Sequence, residues 1–325
     1  MFTELFIILF SVLLMMLPGY ISAKSKMLGE KTLLEMSNLH VNFIYPCLII
    51  SSLTGSFRAE ELFSLWYLPF VCFCIMLLGY ISGFFFRMTS LFNGDEEKRA
   101  FHFQCVMNNY TFVPMPMAYC LYGEKGVAAV VYASIGAETA LWTLGIASLK
   151  GFSLKKDVIK KFLAPPLLAL YFSILLIVVS GTVSFDLKKF ISDDPVFGRL
   201  MMAIKIIGAA TIPLAMIISG ARMAFTPTSA LNRKSVWLLS SVRLLFIPMA
   251  AIIAINALPL EKTYIDVLCL IAVMPVAVVS ILMSEIYGGD KDFMAATVFS
   301  THAVSLVTVP LLLTMTPVIL KIIFG

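Results

Sequence analysis

Two short stretches inside apolar runs carry most of the chemistry available to this chain. The first is Asn108-Asn109-Tyr110-Thr111-Phe112-Val113-Pro114-Met115-Pro116. Its amides and threonine can grip a carboxylate or cap a half-helix. Its two prolines remove backbone donors and push the residues before them out of the helical region. The stretch lies within a segment, about 100–121, that otherwise reads as a membrane-spanning helix. Non-helical backbone at membrane depth is tolerated only where it is buried in protein or lines a watery cavity. A broken span therefore points to a binding site; the plainer alternative is a proline kink with no further role. The second stretch is Met274-Pro275-Val276-Ala277-Val278-Val279-Ser280, a mid-span proline followed by Ser280 and Ser284.

Ionisable residues inside apolar runs are the next candidates. Glu138 is the most costly polar residue by position, a functional candidate by default and a proton carrier by chemistry, against a structural, hydrogen-bonded reading. His102, near a span end, is a second candidate for proton relay. Arg243 is expected to pair with a buried acid or carbonyl, with cargo contact as the alternative. Lys205 is expected to snorkel, and Asp266 and Glu285 to be interfacial. His40, His102 and His302 show no i, i+4 pairing, so no metal site is expected. Cys47, Cys72, Cys74, Cys105, Cys120 and Cys269 form no Cys-x-x-Cys pair and read as small core residues.

These residues need a membrane scaffold. Of 325 residues 60% are hydrophobic and 13% charged, with a mean hydropathy of +0.96; soluble domains carry about 25% charge. An integral membrane protein is the class that fits, and a soluble enzyme does not. The net charge of +5 is spread between apolar runs, so no nucleic-acid partner is expected. The run Leu5 to Ile21 lacks a basic leader and a cleavage site and reads as a first span. Ten stretches meet the ~20-residue requirement for crossing: roughly 4–23, 33–54, 64–87, 100–122, 126–149, 160–181, 197–222, 234–257, 263–287 and 293–320. With the N-terminus outside, fifteen Lys and Arg fall in inside connectors, among them Lys155, Lys156, Lys160 and Lys161, against seven outside. That bias predicts both termini outside.

Landmarks also repeat. Tyr122-Gly123 recurs as Tyr287-Gly288, 165 residues on, and Pro46 through Ser52 recurs as Pro213 through Ser219, 167 residues on. Two halves of five spans, 1–150 and 151–325, are predicted, oppositely oriented because five is odd, with breaks at corresponding places in the fourth and ninth spans. No phosphate-binding Gly-x-x-x-x-Gly-Lys, His-Glu-x-x-His or Gly-x-Ser-x-Gly occurs, so no enzyme activity and no cofactor is expected.

Asn109 through Pro116, with the ending Tyr122-Gly123-Glu124-Lys125-Gly126, resembles the fourth-span motif of the auxin efflux carrier family. Met274-Pro275 through Asp290 resembles that family's ninth span, and Pro46-Cys47-Leu48-Ile49 its second. The resemblance covers essentially the whole chain. It implies the ten-span, inverted-repeat, all-α fold shared with bile-acid transporters, in which broken helices four and nine cross at mid-membrane and a crossover domain moves against a scaffold domain. It also implies a secondary transporter of small organic anions in the cell membrane, auxin-like in plant PIN-formed carriers and dicarboxylates in bacterial relatives. The short central connector resembles the bacterial form. The substrate-binding residues so implied are Asn108, Asn109, Tyr110, Thr111, Pro114, Pro116, Ser51, Pro275, Val276 and Ser280. Where the family usually has glycine, this chain has Pro114. The lipid bilayer is the other partner, and a second copy of the chain is kept as a candidate. A ten-span drug/metabolite exporter and a ligand receptor that moves nothing are the competing readings.

Overall fold

The computed structural model describes residues 2–150, 165–183, 185–225 and 228–324. The side chains of residues 192, 228, 229, 282, 285, 286, 319 and 322–324 are outside that description. Lys155, Lys156, Lys160 and Lys161, and the side chain of Glu285, likewise lie outside the described residues.

The described residues are helical, with no strand among them. In order they form α1 (Phe2–Lys24), α2 (Glu30–Ser56), α3 (Ala59–Phe86), α4 (Asp95–Val106), α5 (Pro114–Lys150), α6 (Pro165–Thr182), α7 (Pro195–Ala224), α8 (Lys234–Asn256), α9 (Lys262–Ala272), α10 (Ser280–Tyr287) and α11 (Lys291–Phe324). Eight of these are long and apolar enough to cross a membrane: α1, α2, α3, α5, α6, α7, α8 and α11. In hydrocarbon a helix is favoured because it satisfies its own backbone polar groups.

α4, α9 and α10 are too short to cross alone, at 12, 11 and 8 residues. α5 is not a straight rod. Gly123 sits at φ 63° inside it, a left-handed conformation that glycine adopts without steric cost. A Cβ on Gly126 would fall 2.5 Å from the Ala118 carbonyl oxygen, eight residues back, whereas eight residues of straight helix span about 12 Å. The chain reverses at Gly123, leaving 114–122 as a short arm. α4 with this arm, and α9 with α10, each hold roughly 20 helical residues, or ~30 Å of rise, one hydrocarbon thickness.

Glycines set the closest helix contacts. A Cβ on Gly19 would fall 1.8 Å from the Ile217 carbonyl oxygen, and one on Gly220 would fall 1.8 Å from that of Met16. α1 and α7 therefore touch backbone to backbone, as small residues permit in membranes. α6 and α7 both pack on α2, while α3, α4, α5, α8, α9 and α11 pack among themselves. The two sets meet chiefly where α1 touches α11 and α2 touches α5, with smaller contacts of α1 with α5, α3 with α6 and α7 with α11.

Ion pairs mark the two faces. On one, Arg233 bonds Asp290 at 2.5 Å and lies 3.9 Å from Glu97. Glu97 is buried and accepts from the Ser235 hydroxyl and the Asn93 amide. Burial works against the Arg233 charge, but the Asp290 hydrogen bond and the charges of Asp290, Glu97 and Asp292 outweigh it and hold its pKa above the ordinary value. On the other face, Arg58 pairs with Asp186 and Lys125 with Glu261. Lys205 reaches Glu124 at 3.2 Å with most of its side chain exposed, so it ends in an ion pair rather than simply snorkelling. Cys120 is exposed, which corrects its assignment to the core: it projects from the short arm.

Candidate functional site: the meeting of the two breaks

Between α4 and α5 the chain is non-helical at 107–113, and between α9 and α10 at 273–279. The two breaks pair. Asn108 and Val276 form an antiparallel bridge. The Asn109 amide donates to the Pro275 carbonyl at 2.7 Å, and the Ala277 amide donates to the Met107 carbonyl at 3.1 Å. Each break thus satisfies backbone groups of the other, as buried non-helical backbone requires. Four helix ends converge here. α4 and α9 bring carbonyl ends, carrying partial negative charge; α5 and α10 bring amide ends, carrying partial positive charge.

Most polar groups of the first break help to hold this arrangement, the exceptions being Asn108 Oδ1 and Thr111 Oγ1. Asn108 is fully buried, and its Nδ2 donates to the Ile271 carbonyl in the last turn of α9; its Oδ1 has no partner. Asn109 accepts at Oδ1 from the amides of Phe112 and Val113, at 3.1 and 3.3 Å, and so closes the turn that leads into α5. Its Nδ2 faces His302 Nε2 at 3.5 Å. His302 Nδ1 lies 2.8 Å from the Val298 carbonyl and must donate to it, which leaves Nε2 as the acceptor from Asn109. The Tyr110 hydroxyl donates to Glu138 Oε1 at 2.7 Å, and the Tyr45 hydroxyl lies beside Thr111, Ser134 and Glu138. Thr111 is buried.

The prolines act differently from expectation. α5 begins at Pro114, so Pro114 and Pro116 occupy its first turn, where a missing N–H costs nothing. The half-helix starts at Pro114, and its partner starts at Ser280, five residues after Pro275.

The second break is held from outside. The Val276 amide donates to Thr301 Oγ1 at 3.4 Å. Ser280 accepts from Gln104, whose Nε2 also donates to the Met294 carbonyl and whose Oε1 accepts from Thr297 at 2.5 Å. Gln104, Thr297, Thr301 and His302 were not singled out from the sequence. A signal existed: Gln104 precedes Asn108 by one helical turn, and Thr297 precedes Thr301 by one. Arg243 is fully buried and donates to the carbonyls of Cys105 at 3.2 Å and Ala272 at 2.8 Å, carbonyl partners being one of the two outcomes expected of it.

The remaining candidates lie elsewhere. Ser51 bonds the Leu48 carbonyl of its own helix. His102 Nε2 donates to the Tyr80 carbonyl at 2.9 Å, and its Nδ1 accepts from Arg87 at 3.1 Å. Asp266 accepts from the Tyr122 hydroxyl at 3.1 Å and pairs with Lys262.

A cavity of ≈ 70 Å³ lies beside the crossing. Phe112 and Val278–Val279 from the two breaks face His40 of α2 and Ser219 and Arg222 of α7 across it. None of the expected binding residues is part of that lining. His40 stands edge-on to Phe112 at 5.3 Å and donates to the Thr211 carbonyl. Arg222 also lines a vestibule of ≈ 540 Å³ with Glu30, Lys31, Lys291 and Asp292.

A broken-helix crossing in a many-span protein is the architecture of a membrane carrier. A family described as membrane transport protein matches residues 5–153 and 150–313, and the chain belongs to that family, the auxin-efflux-carrier-like group its motifs resemble. It is 25% identical over 315 residues to an uncharacterized transporter of Methanocaldococcus jannaschii, covering 92% of this chain and 95% of the relative. It is 24% identical over 310 residues to an uncharacterized transporter of Methanothermobacter thermautotrophicus, covering 93% and 95%.

Proposed function

We propose that the chain is a ten-span secondary transporter of small organic anions, working by alternating access around the paired breaks. The eight long helices and the two broken segments, α4 with the 114–122 arm and α9 with α10, make ten crossings. The inverted repeat is supported by the reversal glycines Gly123 and Gly288, both at positive φ and 165 residues apart. The set α1, α2, α6 and α7 is read as scaffold and the remainder as the moving domain. Both termini are read as outside a cell membrane, and a homodimer is the assembly to look for.

The observation that carries the anion reading is the cavity shared by the two breaks and Arg222. The Arg222 guanidinium donates to Ser37 at 3.4 Å and has the geometry to take a carboxylate bidentately. The cavity alone is small beside the ~300 Å³ or more of usual ligand pockets. A carboxylate head would therefore sit in it, with the rest of the cargo in the vestibule. Malate- or malonate-like dicarboxylates and auxin-like monocarboxylates are the classes to screen. In proteoliposomes, counterflow of at least one such acid is expected. Arg222→Gln is expected to raise KM tenfold or more, about 1.4 kcal/mol. Absence of counterflow for every mono- and dicarboxylate tried, or an unchanged KM in the variant, sinks the anion reading.

A further inference from the structure

Arg243 has no acid to neutralise it. It lies in a wide turn of α8, Val242–Phe246, and is the largest fully buried side chain of the described residues. No carboxylate lies within salt-bridge distance of it among the described residues; its bonds go to the carbonyls of Cys105 and Ala272, and its Nε has no partner. Burying a cation costs several kcal/mol unless something compensates it. Cys105 is in the last turn of α4 and Ala272 is the last residue of α9. Each helix end carries roughly half a negative charge, so the two together offer about one negative charge to one guanidinium. In carriers built from broken helices, such carbonyl ends are where a coupling cation binds.

We propose that Arg243 is a tethered cation filling a monovalent-cation site formed by the ends of α4 and α9. The native chain then needs no metal ion at this place, and removing the guanidinium opens the site to a diffusible cation. Arg243 is thus a positioning residue: it holds two half-helix ends together and does not touch cargo. The inference uses no property of the cargo, so it stands or falls separately from the anion reading.

The test is thermal melting of purified Arg243→Ala in detergent, with choline chloride holding ionic strength constant. The variant is expected to melt on the order of 5–10 °C below wild type. Low-millimolar guanidinium, or sodium or potassium exchanged for choline, is expected to recover part of that loss, while wild type stays indifferent. A variant indifferent to all three cations overturns the proposal, as does a wild type that responds to them equally. Should Arg243→Ala fail to fold, Arg243→Lys and Arg243→Met decide the matter. Lys melting clearly above Met supports a charge requirement; equal melting reduces Arg243 to packing and overturns it.

Discussion

The two breaks that meet at Asn108 and Val276 are made of opposite materials. The first, Asn108-Asn109-Tyr110-Thr111, is polar and ties down its own turn, Asn109 accepting from the Phe112 and Val113 amides. The second, Met274-Pro275-Val276-Ala277-Val278-Val279, is apolar and has no side chain to do the same. One break therefore supplies donors and the other supplies bare backbone. Most of the polar break is already engaged: its side-chain amides go to Ile271, Phe112, Val113 and His302, and its tyrosine to Glu138, leaving Asn108 Oδ1 and the Thr111 hydroxyl without partners. The apolar break leaves the amide end of α10 near a cavity with an arginine across it. The division teaches that the conspicuous polar motif builds the crossing; under the proposed function, cargo chemistry then falls to the plainer partner and to α7.

The sharpest way to break this comparison is to remove the donor that joins the two breaks. Asn108→Ala removes the side-chain donor that ties the first break to the Ile271 carbonyl, leaving that carbonyl only the Met274 amide at 3.3 Å, a loss of about 0.5–1.5 kcal/mol, and counterflow should fall with it. Val276→Ala keeps every backbone bond of the bridge and loses only apolar contact, so it should melt closer to wild type. A Val276 variant that melts lower than the Asn108 variant would show that packing, not polar bonding, holds the crossing.

Asn109 separates turn closure from cargo binding. Asn109→Ala should cost about 1 kcal/mol for the lost turn bonds. Asn109→Asp retains an acceptor for the Phe112 and Val113 amides but gives up the Nδ2 donor to His302 and buries a charge, so it too should melt below wild type. Its negative charge also cancels the positive end of α5 beside the cavity, and KM for a carboxylate should rise at least tenfold. Wild-type transport in the Asp variant would mean that the field of α5 plays no part in drawing the anion.

How far this site was legible follows from the range of each signal. Proline and asparagine within an apolar run announce a break locally, so Asn108–Pro116 and Pro275 could be found without a structure, and an equal offset was enough to pair them. The prolines do not mark where the helices begin, because Pro114 and Pro116 are compatible with a first helical turn. Gln104, His302, Tyr45 and Arg222 are single polar residues in separate helices, and nothing local says which helix end they face. Arg243 could be read as needing a buried acid or a carbonyl, but not which. The pairing of α1 with α7 rests on glycine contacts between residues about 200 apart, Gly19 with Ile217 and Gly220 with Met16, which no periodicity encodes.

The smallest structural change tests the one carboxylate tied to the polar break. Glu138 accepts from Tyr110 at 2.7 Å, lies beside the Tyr45 hydroxyl and bonds Trp142. The apolar break has no counterpart among these contacts. Glu138→Gln keeps an oxygen acceptor for Tyr110 at nearly the same size, so melting should move by less than ~1 kcal/mol equivalent. It cannot take up and release a proton. If the polar break couples transport to protons through this carboxyl, the variant should still exchange anion for anion at equal pH on both sides, a mode needing no net proton movement. Accumulation driven by a pH gradient should be lost. Retention of gradient-driven uptake in Glu138→Gln would confine the difference between the two breaks to architecture, with the Tyr110–Glu138 bond serving only to hold the first break against α5.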